Sequence, residues 1–577
     1  MNESVSGSGI DHSVERFEGN RTLEFAQQIA QNGINDEGMR TALAYSPEED
    51  AAMGEFKKIG HDLEDLAKAK GMQVTVEEDT FGNCYATLRG QEFKTLAGKK
   101  IDKEILLGSH VDSVMDDSEH DGTFGIGIGL ETLRRFIDKG IVPKHSLRVA
   151  AFRAQKSAIT KRAFLGSALA SGKVGIKALN EFPYRCPTFS GSDGKSLFEV
   201  VRKKRGLTKD QFIDAVKNPF LKDKQLKAAI EVHIGNGDTL ENRNQPCVIV
   251  SAIGGSRRRE IDIDGVVVEK SKLANPEKYR TMRMLIRGKS RHSGATPMSG
   301  EIIDGMEFKR SDALAAISKF LQEYEYNHVV NFGVLDGAYN MIPGQAFVDL
   351  RVPKEEGRGT KDIVETMKTY LPEDTELDVS FLEDKGEVNF IREKVVLAVT
   401  GIVLMYEKGA EKLAKENGGL FRATVGDLEV DKKLGKISML TDERMLSELF
   451  GTRFAQDIDA SILAIRDVLE KTLGGAGVSL KMAKYRKGDI VSMDYGMIKC
   501  IAEQTFADMA VVEDAEDVQL GDEWSMPGYD IGTLEAPEKL LLLARTKNGL
   551  VEAADADTIA DLLFNVIMRF FAQKELA

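Results

Sequence analysis

The sequence predicts an α/β protein whose first domain is interrupted by a smaller α+β domain. Three apolar segments, EILLGSH, LRVAAF and AAIEVHIG, have the composition of buried strands, and a segment with the spacing of an amphipathic helix separates the first two. Each segment ends in, or is followed by, polar side chains, and sites in open α/β sheets form at such strand ends. From residue 256 onward, alternating strands surround one clear helix, SDALAAISKFLQEY, a pattern typical of a separate α+β domain.

The remaining elements follow in chain order. Helical periodicity extends over residues 21–72, and VTVEEDTFGNCYATLRG then predicts a hairpin that turns at Gly82 and Asn83. The α+β strands are EIDIDGVVV, RTMRMLIRG, NHVVNFGVL and QAFVDLRVP. Residues 355–455 contain helices such as KDIVETMKTYL and are interpreted as an extra insertion in that domain, without a repeat of fixed period. A final βα portion, from VSMDYGMIKCIAEQTF to TIADLLFNVIMRFF, is predicted to return to the first domain.

These patterns predict four segments along the chain. Residues 1–20 are polar and are expected to form a flexible N-terminus, residues 21–255 the first part of the α/β domain, residues 256–484 the inserted domain, and residues 485–577 the second part of the α/β domain.

Composition limits the classes of function. The net charge of -14 and a pI near 5.4 disfavour partners such as nucleic acid and anionic membrane, which need clustered Lys and Arg. The apolar run VVLAVTGIVLMY is shorter than the ~20 residues that span a bilayer.

Four cysteines without a CxxC spacing imply neither a disulfide framework nor a thiolate zinc site, and the polar N-terminus does not have the order of a signal peptide. We therefore expect a cytoplasmic protein.

Two histidines and one aspartate are candidate metal ligands. His110 and Asp112 lie two residues apart at the end of a strand, so the carboxylate of Asp112 can orient the imidazole of His110. Asp121 follows eleven residues after His110, and His233 ends a later strand. Two imidazoles and one carboxylate suit zinc, so the sequence predicts a metal site of His110, Asp121 and His233.

Six motifs in order resemble the hydantoinase/carbamoylase amidases, within the dinuclear zinc aminoacylase and carboxypeptidase superfamily. They are GSHVDSV, HDGTFGIGIGLETL, VAAFRAQKSA with FLGSALASGK, EVHIGNGDTLE, RHSGATPM with RSDAL, and YNMIPGQAFVDLR. That group includes allantoate amidohydrolase, N-carbamoyl-L-amino acid hydrolase and β-ureidopropionase. The resemblance covers residues 20–353 and, weakly, 485–577. It implies a zinc-peptidase-like catalytic domain, interrupted by a lid and dimerisation domain, with two metals bridged by an aspartate.

The second metal position of the family is degraded in this chain. The family has a Glu-Glu pair after the strand, and here Gln155 and Lys156 stand in its place. The late histidine ligand is also missing, because the last histidine of the chain is His328; Tyr529 in SMPGYDIGTL stands near its position. Room for one zinc or another divalent metal remains, and a second metal is not expected.

Loss of the pair removes both a base and a ligand. In the family the first glutamate accepts and returns the proton during hydrolysis, whereas Gln155 hydrogen-bonds but does not titrate. A divalent ion with one glutamate ligand carries the same local charge as an ammonium. We therefore hypothesise that Lys156 occupies the vacated second-metal position; the alternative is an ordinary surface lysine.

The lid residues of the family are largely retained. His292, Asn340 and Arg351 match family positions that bind the substrate carboxylate and stabilise the oxyanion, the histidine acting across the dimer. Arg351 has an alternative structural role, as an arginine paired within a sheet. In the loop after His233, Asn236 replaces a longer substrate-contacting glutamine of the family, which leaves ureido specificity open.

Three hypotheses for function follow. The first is a pseudoenzyme, present as a homodimer or as a heteromer with an active paralogue through the lid. The second is an active single-zinc amidohydrolase on N-carbamoyl or N-acyl amino acids, with Asp112 or a residue of the 355–455 insertion as base. The third is a metal-free protein that binds small carboxylates by means of Arg351 and the lid. The missing base and second-metal ligands favour the first.

Overall fold

The computed structural model describes most of the chain. The described residues are 15–91, 93–94, 100–101, 103–156, 160, 163–181, 196–222, 224–235, 246–268, 275–294, 296–303, 306–323, 328–335, 337, 341–354, 358–383, 388–416, 421–445, 448–488, 491–492, 497–511, 523–525, 534–547 and 549–572.

Helices and strands alternate along these residues. The helices are α1 (Thr22–Ala30), α2 (Pro47–Ala69), α3 (Thr123–Asp138), α4 (Leu165–Ala170), α5 (Ile176–Glu181), α6 (Leu197–Lys204), α7 (Lys209–Lys217), α8 (Ala313–Glu323), α9 (Arg358–Lys368), α10 (Glu393–Glu416), α11 (Glu448–Leu473), α12 (Met497–Val511) and α13 (Ala553–Ala572). The strands are β1 (Val74–Glu78), β2 (Cys84–Leu88), β3 (Phe93–Lys94), β4 (Lys100–Ile101), β5 (Lys103–His110), β6 (Ser146–Phe152), β7 (Gln225–Ile234), β8 (Cys247–Ile253), β9 (Gly255–Asp264), β10 (Val267–Val268), β11 (Tyr279–Arg287), β12 (Arg291–His292), β13 (Ile302–Ile303), β14 (Met306–Glu307), β15 (Val329–Val334), β16 (Met341–Ile342), β17 (Gln345–Pro353), β18 (Glu376–Leu382), β19 (Phe390–Ile391), β20 (Phe421–Asp431), β21 (Lys436–Met445), β22 (Ser479–Gly488), β23 (Val491–Ser492), β24 (Glu523–Ser525) and β25 (Glu538–Ala544).

The chain divides into two compact units. The first unit comprises Met1–Ser251, Ser492–Glu523 and Tyr529–Ala577, and the second comprises Ala252–Val491 and Trp524–Gly528. The mixed α/β architecture with an inserted α+β part confirms the predicted fold class.

A mixed sheet forms the centre of the first unit, with its strands in the order β1-β2-β6-β5-β7-β25-β8-β23. The neighbours β6, β5 and β7 are parallel, so their carboxyl ends lie at one edge of the sheet. The predicted hairpin is confirmed as β1 and β2, which pair antiparallel, with Val74 opposite Leu88 at one end and Glu78 opposite Cys84 at the other. Its turn contains Gly82 in the left-handed region, at φ 92°.

Helix α3 packs closely on this sheet because its first half is rich in glycine. A Cβ atom at Gly125 would lie 2.0 Å from the carbonyl oxygen of Val232 on β7, so no larger residue fits there. Gly122, with φ 78°, precedes the helix, and a Cβ on it would lie 2.4 Å from the carbonyl oxygen of His110. The predicted amphipathic helix is thus held against the strand ends that carry the candidate ligands.

The second unit contains two four-stranded antiparallel sheets, one in the order β15-β17-β11-β18 and the other in the order β20-β21-β9-β22. The predicted strands RTMRMLIRG, NHVVNFGVL and QAFVDLRVP are confirmed as β11, β15 and β17, and the predicted helix is confirmed as α8. The predicted strand EIDIDGVVV instead divides into the end of β9 and the short strand β10, which pairs with β19 outside these two sheets. Each unit has its own buried apolar core. None of the helices in the described part of the chain is long and apolar enough to cross a membrane.

Candidate metal centre

The candidate ligands of the first unit meet at the carboxyl edge of three adjacent strands. His110 is the last residue of β5, and His233 is the penultimate residue of its parallel neighbour β7. Gln155 and Lys156 follow β6, the neighbour of β5 on the other side. Parallel strands bring residues that are distant in sequence to the same edge. Asp121 reaches this edge from the loop that precedes α3.

Three ligand atoms converge at this edge. Nε2 of His110 lies 3.0 Å from Nε2 of His233, and these nitrogens lie 3.3 Å and 3.2 Å, respectively, from Oδ1 of Asp121. A tetrahedral zinc ion with bonds near 2.0–2.1 Å separates its ligand atoms by about 3.3 Å. The spacing of the three atoms therefore fits one divalent ion.

The environment of these atoms also fits a cation. His110 and His233 are at most 1% exposed, and the buried Oδ1 atom of Asp121 has no hydrogen-bond donor among the described residues. A buried carboxylate oxygen without a donor is costly unless a cation or water satisfies it. The other ring nitrogens are occupied, since Nδ1 of His110 lies 2.9 Å from the carbonyl oxygen of Asp112 and Nδ1 of His233 lies 3.0 Å from that of Ile234. Both rings are thereby oriented with Nε2 toward Asp121.

Lys156 occupies the other side of Asp121. Its Nζ atom donates a hydrogen bond of 2.6 Å to Oδ2 of Asp121 and lies 3.9 Å from Oδ2 of Asp117. Burial lowers the pKa of Lys156, but the surrounding carboxylates of Asp121 and Asp117 raise it by more, so the ammonium stays charged. The two oxygens of Asp121 thus face two imidazoles on one side and an ammonium on the other.

The backbone that carries Gln155 and Lys156 is fixed by Asp112. The Gln155 N–H donates to Oδ1 of Asp112 at 2.7 Å, and the Lys156 N–H donates to Oδ2 at 2.8 Å. The preceding residue, Ala154, has φ 54°, an uncommon conformation for a residue with a side chain. Its N–H donates to Oε1 of Glu49 at 3.1 Å, which holds the strained residue in place. Asp112 therefore orients this loop with its carboxylate, whereas its contact of 2.9 Å with Nδ1 of His110 is made by the backbone carbonyl oxygen.

The two imidazoles differ in charge in the absence of a metal. Burial disfavours the charged form of both. In His110, the nearby carboxylates of Asp112 and Asp121 outweigh burial and raise the pKa to about 10, whereas in His233 burial prevails and lowers the pKa. For the carboxyl of Asp121, burial alone would raise the pKa, but the Lys156 ammonium and the two imidazoles hold it well below its usual range.

Two further charged residues near the centre escaped sequence analysis. Arg40 is fully buried, and none of its three guanidinium nitrogens has a hydrogen-bond partner among the described residues. Its backbone pairs with that of Asp117. Burial and the neighbouring carboxylate of Asp121 together raise the pKa of Asp117 to about 6. Neither Arg40 nor Asp117 belongs to a sequence pattern typical of metal ligands, so only their position beside the strand ends identifies them as part of the centre.

The lid residues lie in the second unit, apart from the triad in sequence. His292 is in β12, where its Nδ1 atom accepts a hydrogen bond of 3.2 Å from the Gly294 N–H. Arg351 is fully buried in β17, and its Nη1 atom donates to Oγ1 of Thr281, its register partner on β11. This contact is of the kind expected for the structural alternative, and the predicted role of Arg351 in binding a substrate carboxylate stays a prediction. Asn236, Asn340 and Tyr529 lie outside the described residues, so their predicted roles stay predictions.

Relatives of the chain are amidohydrolases. No protein-family model matches it. It is similar to the N-carbamoyl-L-amino-acid amidohydrolase of Paenarthrobacter aurescens, 26% identical over 328 residues, which is 55% of this chain and 65% of that protein. It is also similar to the N-carbamoyl-L-amino acid amidohydrolase of Geobacillus stearothermophilus, 26% identical over 355 residues, which is 59% of this chain and 71% of that protein. The chain thus spans slightly less than two thirds of the first relative and slightly more of the second.

A solved structure supports the same assignment at the level of the fold. The amidase of the hydantoinase/carbamoylase family from Burkholderia vietnamiensis superposes with a TM-score of 0.56 at 17% identity, covering 98% of this chain and 100% of that one. The chain is therefore a homologue of the hydantoinase/carbamoylase-type amidases, which act on C–N bonds, and it shares their fold.

Proposed function

We propose that the chain is a catalytically impaired member of this group, which holds at most one divalent ion and acts by binding rather than by turnover. In this role it serves alone or as the partner subunit of an active paralogue. The observation that carries the proposal is the hydrogen bond of 2.6 Å between Nζ of Lys156 and Oδ2 of Asp121. His110, Asp121 and His233 would hold the single ion.

Electrostatics supports a limit of one metal. A carboxylate that bridges two metals needs one free oxygen for each, and Oδ2 of Asp121 is already bound to an ammonium. A divalent ion about 4 Å from that ammonium would be repelled by about 8 kcal/mol at an effective dielectric constant of 20. Binding of a second ion would therefore require Lys156 to leave its position.

Neither Gln155 nor Asp112 is an evident general base. The amide of Gln155 does not titrate. Both carboxylate oxygens of Asp112 accept backbone N–H groups, and the side chain is fully buried, so Asp112 is poorly placed to take a proton from a substrate. A general base typically contributes ~10² to 10⁴ in rate, so its loss together with the second metal supports severe impairment.

A small carboxylate is the class of ligand that the charges favour. One divalent ion beside the ammonium of Lys156 would present positive charge to a ligand from two sides of Asp121. Anionic ligands bind where such charges are fixed in a water-poor site.

An active single-metal amidohydrolase is the second candidate, and it is favoured by the near-tetrahedral spacing of the three ligand atoms. Three protein ligands leave one coordination position of the ion open. A divalent ion held by them would act as a Lewis acid on a carbonyl group. Asp117 would be the candidate base, because its carboxyl lies 3.9 Å from Lys156 and burial raises its pKa to about 6.

Elemental analysis combined with assays separates these candidates. We expect protein purified without added metal or chelator to contain no more than one divalent ion per chain and to leave N-carbamoyl and N-acyl amino acids intact. Hydrolysis that is lost in His110→Ala but retained in His61→Ala, a change on an exposed helix face, would establish the single-metal enzyme instead. Two ions per chain would contradict the proposed role of Lys156.

A further inference from the structure

The two sheets of the second unit have the same topology. One is built from β11, α8, β15, β17, α9 and β18, and the other from β9, α10, β20, β21, α11 and β22. Both follow the order strand, helix, strand, strand, helix, strand. In both sheets the fourth strand lies beside the first, the first beside the third, and the third beside the second. The second unit therefore contains the same fold twice.

One copy is nested within the other along the chain. We call residues 279–382 the inner lid, and residues 255–264 with 393–488 the outer lid. The inner lid is inserted between the first strand and the first helix of the outer lid. This nesting separates the two parts of the outer lid by more than a hundred residues, so a repeat of fixed period does not arise.

The first helices of the two copies pack against each other in opposite directions. Lys319 on α8 forms an ion pair of 3.0 Å with Glu407 on α10. Three residues further along α8, Gln322 donates hydrogen bonds of 2.7 Å to the Leu397 carbonyl and to Oγ1 of Thr400. Contacts that advance along one helix while they retreat along the other define an antiparallel pair.

The second strands of the two copies also lie side by side. A Cβ atom on Gly333 of β15 would lie 2.7 Å from the carbonyl oxygen of Leu428 on β20, and one on Gly337 would lie 2.3 Å from Oδ1 of Asp427. The absence of a side chain at Gly333 lets the two backbones approach closely, and its absence at Gly337 leaves room for the side chain of Asp427. First helix thus contacts first helix and second strand contacts second strand, as in the self-complementary interface of a twofold dimer.

A buried polar network connects the copies beside His292. Oγ of Ser293 in the inner lid donates to Oδ2 of Asp442 in the outer lid at 2.7 Å. Asp442 is fully buried and also pairs with Arg258 and Arg444, both in the outer lid. Burial alone would raise the pKa of Asp442, but the two guanidinium groups hold it below its usual range. The outer lid thus holds the side chain of Ser293, the residue next to His292.

We infer that the outer lid is a built-in partner of the inner lid, so that one chain supplies both halves of a lid pair that two subunits would otherwise form. The two copies are not equivalent. His292 and His328 belong to the inner lid, and none of the eight histidines of the sequence lies in the outer lid. The outer lid is therefore a supporting copy. This inference concerns assembly and holds whether or not the first unit turns over a substrate.

Zero-length cross-linking of the full chain tests this inference. A carbodiimide joins an ammonium and a carboxylate in direct contact, so Lys319 and Glu407 should be linked within a single chain of 63.5 kDa. Two differently tagged chains, one with Glu407→Gln and the other with Lys319→Gln, are then co-expressed. Neither can form the link internally, but a chain of one kind could still link to a chain of the other.

We expect the link in the wild-type chain and its loss from the co-expressed pair. Lys436 and Asp262, which are 2.7 Å apart within the outer lid, provide a link that must survive in every sample. A Lys319–Glu407 link in the co-expressed pair would show that the lids pair between chains and would overturn the inference. Failure of the wild-type chain to form the link, while the control link forms, would overturn the helix contact itself.

Discussion

Nζ of Lys156 and Oδ2 of Asp121 form an ion pair of 2.6 Å on the side of Asp121 that faces away from the two imidazoles. The side chain of Asp121 is 6% exposed and that of Lys156 is 17% exposed, so solvent screens the pair only weakly. The same carboxylate thus has one oxygen suited to a metal and one that is already neutralised.

Replacement of Lys156 by methionine should destabilise the metal-free protein. Lys156→Met keeps the length of the side chain but leaves the buried carboxylate of Asp121 without its ammonium, which should cost about 2–4 kcal/mol. Chemical denaturation in the presence of a chelator measures the change. Lys173→Met, which breaks an exposed pair with Glu535, should cost less than about 1 kcal/mol. Equal losses in both variants would show that Lys156 is an ordinary surface lysine.

Removal of one imidazole should abolish tight binding of a divalent ion. His233→Ala takes away one of three ligands, and we expect the Kd for Zn²⁺ measured by calorimetry to rise by more than about 100-fold. The matched control is His61→Ala, because this ring is exposed on α2 and contacts Glu64. Unchanged Zn²⁺ affinity in His233→Ala would exclude the triad as the metal site.

The network around Asp442 should contribute strongly to the stability of the second unit. Asp442→Asn leaves Arg258 and Arg444 without their shared carboxylate in a buried position, and we expect a loss of about 3–5 kcal/mol in the free energy of unfolding. Asp378→Asn removes an exposed partner of Arg287 and should change it by less than about 1 kcal/mol. A similarly small effect of Asp442→Asn would mean that this network does not hold the lids together.

The metal triad could be predicted from the sequence because its geometry follows from regular strands. His110 and His233 lie at the carboxyl ends of apolar strands, and such strands become parallel neighbours in an α/β sheet. The contact of Lys156 with Asp121 depends instead on an irregular loop, in which Ala154 takes a left-handed conformation. That turn has no periodic sequence pattern, so the sequence predicts the pairing of Lys156 with Asp121 only from their opposite charges.

The duplication of the lid was less accessible for a different reason. The first strand of the outer lid is separated from its first helix by an insertion that contains the whole inner lid, and the pattern of residues 355–455 combines the end of one copy with the middle of the other. Arg40 was missed because a lone arginine in a sequence is usually exposed, whereas here it is fully buried.

Asp312 should make the stability of the inner lid depend on pH. It precedes α8, and its Oδ1 accepts the Ala315 N–H at 2.9 Å, but burial raises its pKa from 3.8 to about 6, with Arg310 opposing and Glu407 adding to the shift. Because the folded pKa lies above the unfolded value, the protonated carboxyl stabilises the fold below pH 3.8, and this contribution is lost as the pH rises through about 6.

Asp312→Asn retains an oxygen for the cap and does not titrate, so it isolates this effect. We expect the free energy of unfolding of the wild type, relative to that of Asp312→Asn, to fall between about pH 4 and pH 7 by up to about 3 kcal/mol. Urea denaturation of both proteins at several pH values measures the difference. A constant difference across this range would mean that the carboxyl of Asp312 keeps an ordinary pKa, and that Arg310 and Lys319 balance its burial.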